Sequence, residues 1–152
     1  EADFILASQN FNNMKVKKKL GCILLVDDDP DDNEYHEIIL NKLQISEKID
    51  IAVNGVEAIR YLKSEGRTPP ELIFLDINMP KMNGWEFLTE YKDLDIKQKA
   101  KVVIMILSTS TNPEYIKKAN EIKEVTGYES KPLDKEMIEK IMIEHFSDHL
   151  EI

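Results

Sequence analysis

Four short stretches of this 152-residue chain carry residues able to do chemistry. They are the acid run Asp27-Asp28-Asp29-Pro30-Asp31-Asp32, Asp76 at the end of Leu72-Ile73-Phe74-Leu75, the pair Ser108-Thr109, and Lys131 before Pro132. Carboxylates brought within a few ångströms raise one another's pKa and cannot all stay ionised unaided. A hard divalent cation resolves that conflict, and Mg²⁺ suits a few carboxylates while keeping several waters. Lys131 adds a second positive charge, and Ser108 or Thr109 offers hydroxyl and backbone donors. A cation, an ammonium and donors around a nucleophilic carboxylate describe phosphoryl transfer, which is mostly positioning and charge neutralisation. A carboxylate nucleophile there yields an aspartyl phosphate. Singly, each piece has a plainer explanation: a solvated turn, a helix cap, an exposed lysine. Their order along the chain argues for a site.

The elements that must bring them together are legible in the hydrophobic pattern. Cys22 to Val26 and Leu72 to Leu75 are short apolar runs closed by turn residues, the mark of strands buried on both faces. Ile49 to Val53, Val102 to Leu107 and Val125 to Ser130 read as three more. Between them lie helical stripes: Tyr35, Ile38, Ile39 and Leu43; Val56, Ile59 and Leu62; Gly84, Phe87, Leu88 and Tyr91, with Trp85 as a rim packing residue. Asn112-Pro113-Glu114 has the cap, first-turn proline and acid of a helix start. A last helix begins near Asp134 and turns Met137, Ile138, Ile141 and Phe146 inward. Strand and helix alternating five times predicts an α/β fold, a doubly wound parallel sheet covered on both faces. Strand order 2-1-3-4-5 is the usual five-strand solution. In it, Asp27-Asp28, Asp76, Ser108-Thr109 and Lys131 share the C-terminal edge of the sheet, where such folds bind ligands.

Composition narrows the classes. A formal net charge of -9 argues against a nucleic-acid partner, which needs a basic face. It suits a cation site. No apolar stretch approaches a membrane span and no secretory pattern is visible. The single Cys22 excludes an internal disulfide and is compatible with a reducing, cytoplasmic setting. His36, His145 and His149 have no metal-ligand spacing with it and read as exposed helix residues. Residues 1–19 read as a polar leader or flexible extension, and residues 20–152 as one domain whose last helix leaves no room for an output domain.

The segments ILLVDDDP, LIFLDINMPKMNG, ILSTS and GYESKP together resemble those of response-regulator receiver domains of bacterial two-component signalling, over roughly Leu20 to Phe146. The resemblance implies a flavodoxin-like sheet and phosphorylation of Asp76 by a sensor histidine kinase or hybrid kinase. It implies Mg²⁺ held by the Asp28 and Asp76 side chains and the Asn78 backbone carbonyl, with Asp27 holding a metal-bound water. Asp29 is a competitor for these roles, because the acid run is longer than the usual pair. Ser108 matches a switch hydroxyl that is more often Thr, and Thr109 is a further phosphoryl contact. Lys131 matches the lysine on the phosphoryl oxygens, joined to Pro132 by a cis bond. Tyr128 matches a switch aromatic whose movement reshapes the face made by the fourth helix, fifth strand and fifth helix for a downstream protein. Asn78 and Ser110 flank the acceptor and are expected to tune phosphoryl lifetime. Such a domain catalyses only its own phosphorylation and dephosphorylation. The INMPKMNGW stretch resembles stand-alone receivers serving phytochrome-type or hybrid kinases.

Two rival classes remain. Haloacid-dehalogenase-type phosphatases use a similar residue set, but need a second Asp two positions after the nucleophile as general acid. That position is Asn78, and here the acid pair precedes the nucleophile strand instead of following it. A phosphorylation-independent interaction module is the other. Such modules usually lose an acid or the lysine, and this chain keeps them.

Overall fold

A computed structural model describes residues 14–95, 99 and 102–151. The chain order is β1 (Lys15–Val16), β2 (Leu20–Val26), α1 (Pro30–Leu43), β3 (Ser46–Ala52), α2 (Gly55–Lys63), β4 (Leu72–Leu75) and α3 (Gly84–Lys92). It continues with β5 (Val103–Ser108), α4 (Pro113–Glu121), β6 (Gly127–Ser130), α5 (Lys135–His145), a 3-10 turn at Ser147–His149 and β7 (Leu150–Glu151). Five parallel strands form the sheet in the order β3-β2-β4-β5-β6. Numbered among themselves, these strands have the expected order 2-1-3-4-5.

Side chains alternate across the central strands, so one strand feeds two cores. Cys22, Leu24, Val26, Ile73, Leu75, Ile104 and Ile106 pack with α2, α3 and Ala119 of α4. Ile23, Leu25, Leu72, Phe74, Met105 and Leu107 face the other way, against Leu40 of α1 and Ile138, Ile141 and Met142 of α5. Every side chain of β4 is buried, and each contributes about 1.5–3 kcal/mol of apolar transfer. That burial fixes where β4 stops, and therefore where Asp76 stands.

Local chemistry sets the helix starts, with Asn112 capping its helix as expected. Asn54, Asn83, Asn112 and Asp134 cap α2, α3, α4 and α5 through their side chains, and at α3 Glu86 returns the bond to complete a capping box. Trp85 packs at the rim as read, edge-on to the Tyr115 ring and beneath Lys118.

Several expectations need correcting. The stripe on α1 is rotated: Tyr35 and Ile38 are each 50% exposed, while Asn33, His36 and Leu40 are buried. Spacing alone picked the most apolar face of that helix. Its real floor carries two polar groups next to the acidic edge. His36 is thus 2% exposed, not a surface residue. His149 is half-buried in the 3-10 turn, where Nδ1 lies 2.8 Å from the Lys18 carbonyl. In α2, Ala58 and Tyr61 join Ile59 and Leu62 inside, and Val56 is only half-buried. The second sheet strand is longer than read, Ser46–Ala52, and the fifth shorter, Gly127–Ser130.

The expected leader also divides. Residues 1–13 lie outside the described residues. Lys15 and Val16 pair antiparallel with Glu151 and Leu150, and Val16 packs on the second core. This small ladder ties the N-terminal flank to the C-terminal residues. Among the described residues, no helix is long and apolar enough to cross a membrane.

Candidate functional site at the C-terminal edge of the sheet

β2 is followed at once by Asp27, whose N–H donates to the Ala52 carbonyl of β3 (3.0 Å). β4 is followed at once by Asp76, whose N–H donates to the Val26 carbonyl (2.9 Å). Sheet hydrogen bonding therefore continues one residue past each strand and holds both aspartates by their backbones. Beyond Asp76 the loop doubles back, with the Gly84 N–H on the Ile77 carbonyl at 2.8 Å. A Cβ at Gly84 would stand 2.6 Å from the Asp76 carbonyl oxygen, so only glycine permits this approach.

The acids sort themselves by function. Oxygens of Asp27, Asp28 and Asp76 lie within 4.8 Å of one another, with Asp27 and Asp76 buried and Asp28 exposed. Asp29 stands apart from this trio: its carboxylate caps α1, accepting from the N–H groups of Asp31 (2.9 Å) and Asp32 (3.2 Å). It is a cap and not a competitor for the cluster. The Asp29 N–H in turn donates to Asp27 Oδ1 (3.0 Å), and Asn33 Nδ2 donates to the Asp27 carbonyl (2.8 Å).

Lys131 closes the site from the end of β6. Its Nζ lies 2.6 Å from Asp27 Oδ2, 2.9 Å from Asp32 Oδ2 and 3.5 Å from Asp76 Oδ1. The Lys131-Pro132 bond is cis. The Lys131 N–H donates to the Ser108 carbonyl (3.0 Å), which ties the β6 end to the buried Ser108 at the end of β5. Ser108 Oγ accepts from the Ser110 N–H (3.0 Å), and Tyr128 Oη donates to the Ser110 carbonyl (2.9 Å). Tyr128 is half-buried, and its hydroxyl is fastened to the loop that Ser108 opens. Asn78 and Thr109 are exposed on the loops that follow Asp76 and Ser108.

One ammonium among so many carboxylates leaves a deficit. Burial, then the Asp27 charge, push Asp76 up to about 6, and Lys131 only partly offsets them. Burial by itself would lower the Lys131 pKa, yet its hydrogen bonds to Asp27 and Asp32 hold it well above the ordinary lysine range. The ammonium stays charged, and the acid cluster remains short of positive charge. Three carboxylates, one of them pushed up to about 6 by burial and its neighbour, form a set that a hard dication fits.

The structure thus gathers Asp27, Asp28, Asp76 and Lys131, with Ser108 and Tyr128 linked through one loop. Sequence reading missed Asp32 as a second carboxylate on Lys131, and Asn33 and His36 beneath the site. Asn33, His36 and Leu40 follow helical spacing, so polar residues in register with a buried leucine were the available signal.

Comparison with known proteins agrees with this fold. Response regulator Rcp1 of Synechocystis sp. is 34% identical over 97 residues, which span 60% of this chain and 64% of Rcp1. The chain therefore matches less than two-thirds of that relative's length. Rcp1 is also known as a Mn²⁺-bound structure, with a TM-score of 0.65, 28% identity and coverage of 80% of this chain and 91% of that one. A two-component response regulator from Cytophaga hutchinsonii superposes with a TM-score of 0.76 at 32% identity, covering 86% of this chain and 99% of its own. The phosphorylated cyanobacterial phytochrome response regulator RcpA gives 0.71 at 28% identity, covering 87% and 99%. Residues 23–143 match the response regulator receiver domain family, and with that match and the sheet order in agreement, the chain belongs to that family of two-component signalling domains.

Proposed function

We propose that Asp76 accepts a phosphoryl group from a histidine kinase or hybrid kinase and passes the event to a protein partner as a change of surface. The observation that carries this reading is the buried Asp76 carboxylate, with Lys131 Nζ at 3.5 Å and the Asp27 and Asp28 carboxylates in the same cluster. A nucleophile needs a lone pair facing the donor and positive charge for the incoming oxygens; Lys131 supplies one charge, and a cation among the acids would supply the rest.

In the transfer, an Asp76 oxygen forms a bond to phosphorus as the P–N bond to the donor histidine breaks. Asp27, Asp28, Asp76 and the Asn78 carbonyl would hold Mg²⁺, which when bound supplies neutralising charge to the phosphoryl oxygens. Lys131 leaves part of its contact with Asp27 and Asp32 to meet a phosphoryl oxygen. Ser108 Oγ donates to another, and Thr109 supplies a further contact from the same loop. Once Ser108 closes, the Ser110 loop moves with it, and the Tyr128 hydroxyl must leave the Ser110 carbonyl or follow it. This is a two-state element biased by a new charge. The face formed by α4, β6 and α5 is where that motion reaches the surface. Asn78 and Ser110, beside the acceptor, set how long the phosphoryl group lasts.

Intact mass after incubation with acetyl phosphate and Mg²⁺ tests the proposal. One added phosphoryl group, absent in Asp76→Asn and absent with EDTA, is expected. An adduct that survives Asp76→Asn, or none on any form, overturns it.

A further inference from the structure

Beneath the acidic edge, between α1 and the sheet, lies a recess with about 10 Å³ of room for the centre of a water molecule. Asp27, Asn33, His36 and Asp76 line it on the polar side, with Phe74 and Leu107 among the apolar walls. That room is close to the minimum for one water, and a water needs at least two polar partners.

Two observations say what belongs there. Asn33 is 5% exposed, and its Oδ1 has no hydrogen-bond partner among the described residues. Turning the amide over would not help, because Nδ2 already serves the Asp27 carbonyl at 2.8 Å and an oxygen there would face another oxygen. An acceptor left bare in this way keeps the full penalty of its lost hydration. His36 is buried on the same helix face, three residues on, where an aliphatic side chain would otherwise suit the stripe that continues to Leu40. A buried imidazole needs partners for its ring nitrogens.

We propose that this recess is a site for one ordered water, held by Asn33 Oδ1 and the His36 ring, and that through it His36 positions the Asp27–Asp76 pair. The water donates one hydrogen to Asn33 Oδ1 and joins the imidazole to the carboxylate side of the recess. His36 is a positioning residue: it touches neither cation nor phosphoryl group. Burial lowers its pKa, Asp32 and Asp27 oppose this and Lys131 adds to it. A neutral ring offers one donor and one acceptor, the pair a bridging water can use. The positioning role rests on the receiver reading; the water site does not.

The test combines a high-resolution crystal structure of the native chain with Mg²⁺ titration calorimetry on native, His36→Gln and His36→Leu proteins. An ordered water on Asn33 Oδ1 is expected. Supporting groups behind metal ligands typically matter by a factor of ten or more, so His36→Leu should weaken Mg²⁺ binding about tenfold and His36→Gln only about twofold. A dry recess overturns the proposal, as does equal weakening by both variants or none by either. Should His36→Leu fail to fold by circular dichroism, the native crystal decides alone: water supports the proposal, a dry recess overturns it. Acetyl phosphate labelling keeps the two readings apart. Lack of an adduct on the native chain overturns the phosphoacceptor reading and leaves the water site standing, and an adduct beside a dry recess does the reverse.

Discussion

Two aspartates near the same strands show opposite electrostatics. Asp50, on β3, accepts from Tyr61 Oη at 2.6 Å and pairs with Lys48 at 3.0 Å, with the Cys22 thiol 3.3 Å from the same phenol. Burial would raise its pKa, but the Tyr61 and Lys48 hydrogen bonds outweigh it and hold Asp50 below the usual carboxylate range. Asp76 has a backbone hydrogen bond from Ile77 but, among the described residues, no side-chain partner of its own. It shares Lys131 with Asp27 and Asp32, and is pushed up to about 6. The first cluster is complete within the chain, with Tyr61 raised well above its ordinary value by burial and by the Asp50 bond. The second is completed only by something cationic. A structural polar cluster and a ligand site differ here in whether donors match acceptors.

The sharpest way to break that contrast is to remove the shared ammonium. Lys131→Met strands Asp27 and Asp76 without a counter-charge, and breaking a buried pair from one side costs about 3–5 kcal/mol. Urea unfolding in EDTA should show that loss, and Mg²⁺ should recover part of it. Equal stability with and without Mg²⁺ would contradict the charge deficit.

Asp76→Asn should act the other way. An acid with a raised folded pKa contributes stability that is present below its unfolded value of 3.8 and lost as pH rises through about 6. The native chain in EDTA should therefore lose stability between about pH 4 and pH 7. The Asn variant lacks that slope and should be more stable at neutral pH, by at most about 3 kcal/mol for a shift near two units. Thermal unfolding across that range checks the sign. A destabilised Asn variant at neutral pH would refute it.

Asp50→Asn sharpens the comparison from the opposite side. Losing a charged acceptor on Tyr61 and Lys48 should cost about 1–2 kcal/mol, with no response to Mg²⁺. Its pKa is depressed, so the wild-type contribution is present above the unfolded value and fades as pH falls through the folded one. The smallest effect belongs to the switch. Tyr128→Phe removes one hydrogen bond to the Ser110 carbonyl, worth about 1 kcal/mol. Phosphorylation of Asp76 should survive it, while partner binding should lose its dependence on phosphorylation.

The acidic edge was legible from sequence because its parts are local. Asp76 ends a fully apolar run, Lys131 precedes a proline, and each strand end is marked by its own turn residues. Five strands alternating with helices then leave few arrangements, and right-handed crossovers bring those ends to one edge. What the pattern could not rank was the acid run. Five aspartates in six positions look alike, yet Asp27 and Asp28 join Asp76, Asp32 meets Lys131, and Asp29 caps α1. Nor could it orient α1, whose exposed Tyr35 and Ile38 are more apolar than the Asn33 and His36 it buries.

Sequence by itself determined the alternation of elements, the strand ends and the residue types delivered there, because periodicity and turn chemistry act over a few residues. The tertiary structure alone decided which acids share the Lys131 ammonium, which one caps a helix, and that a histidine is buried beside the acidic edge. Those outcomes depend on the rotation of α1 against β2 and β4, fixed by packing between residues far apart in the chain.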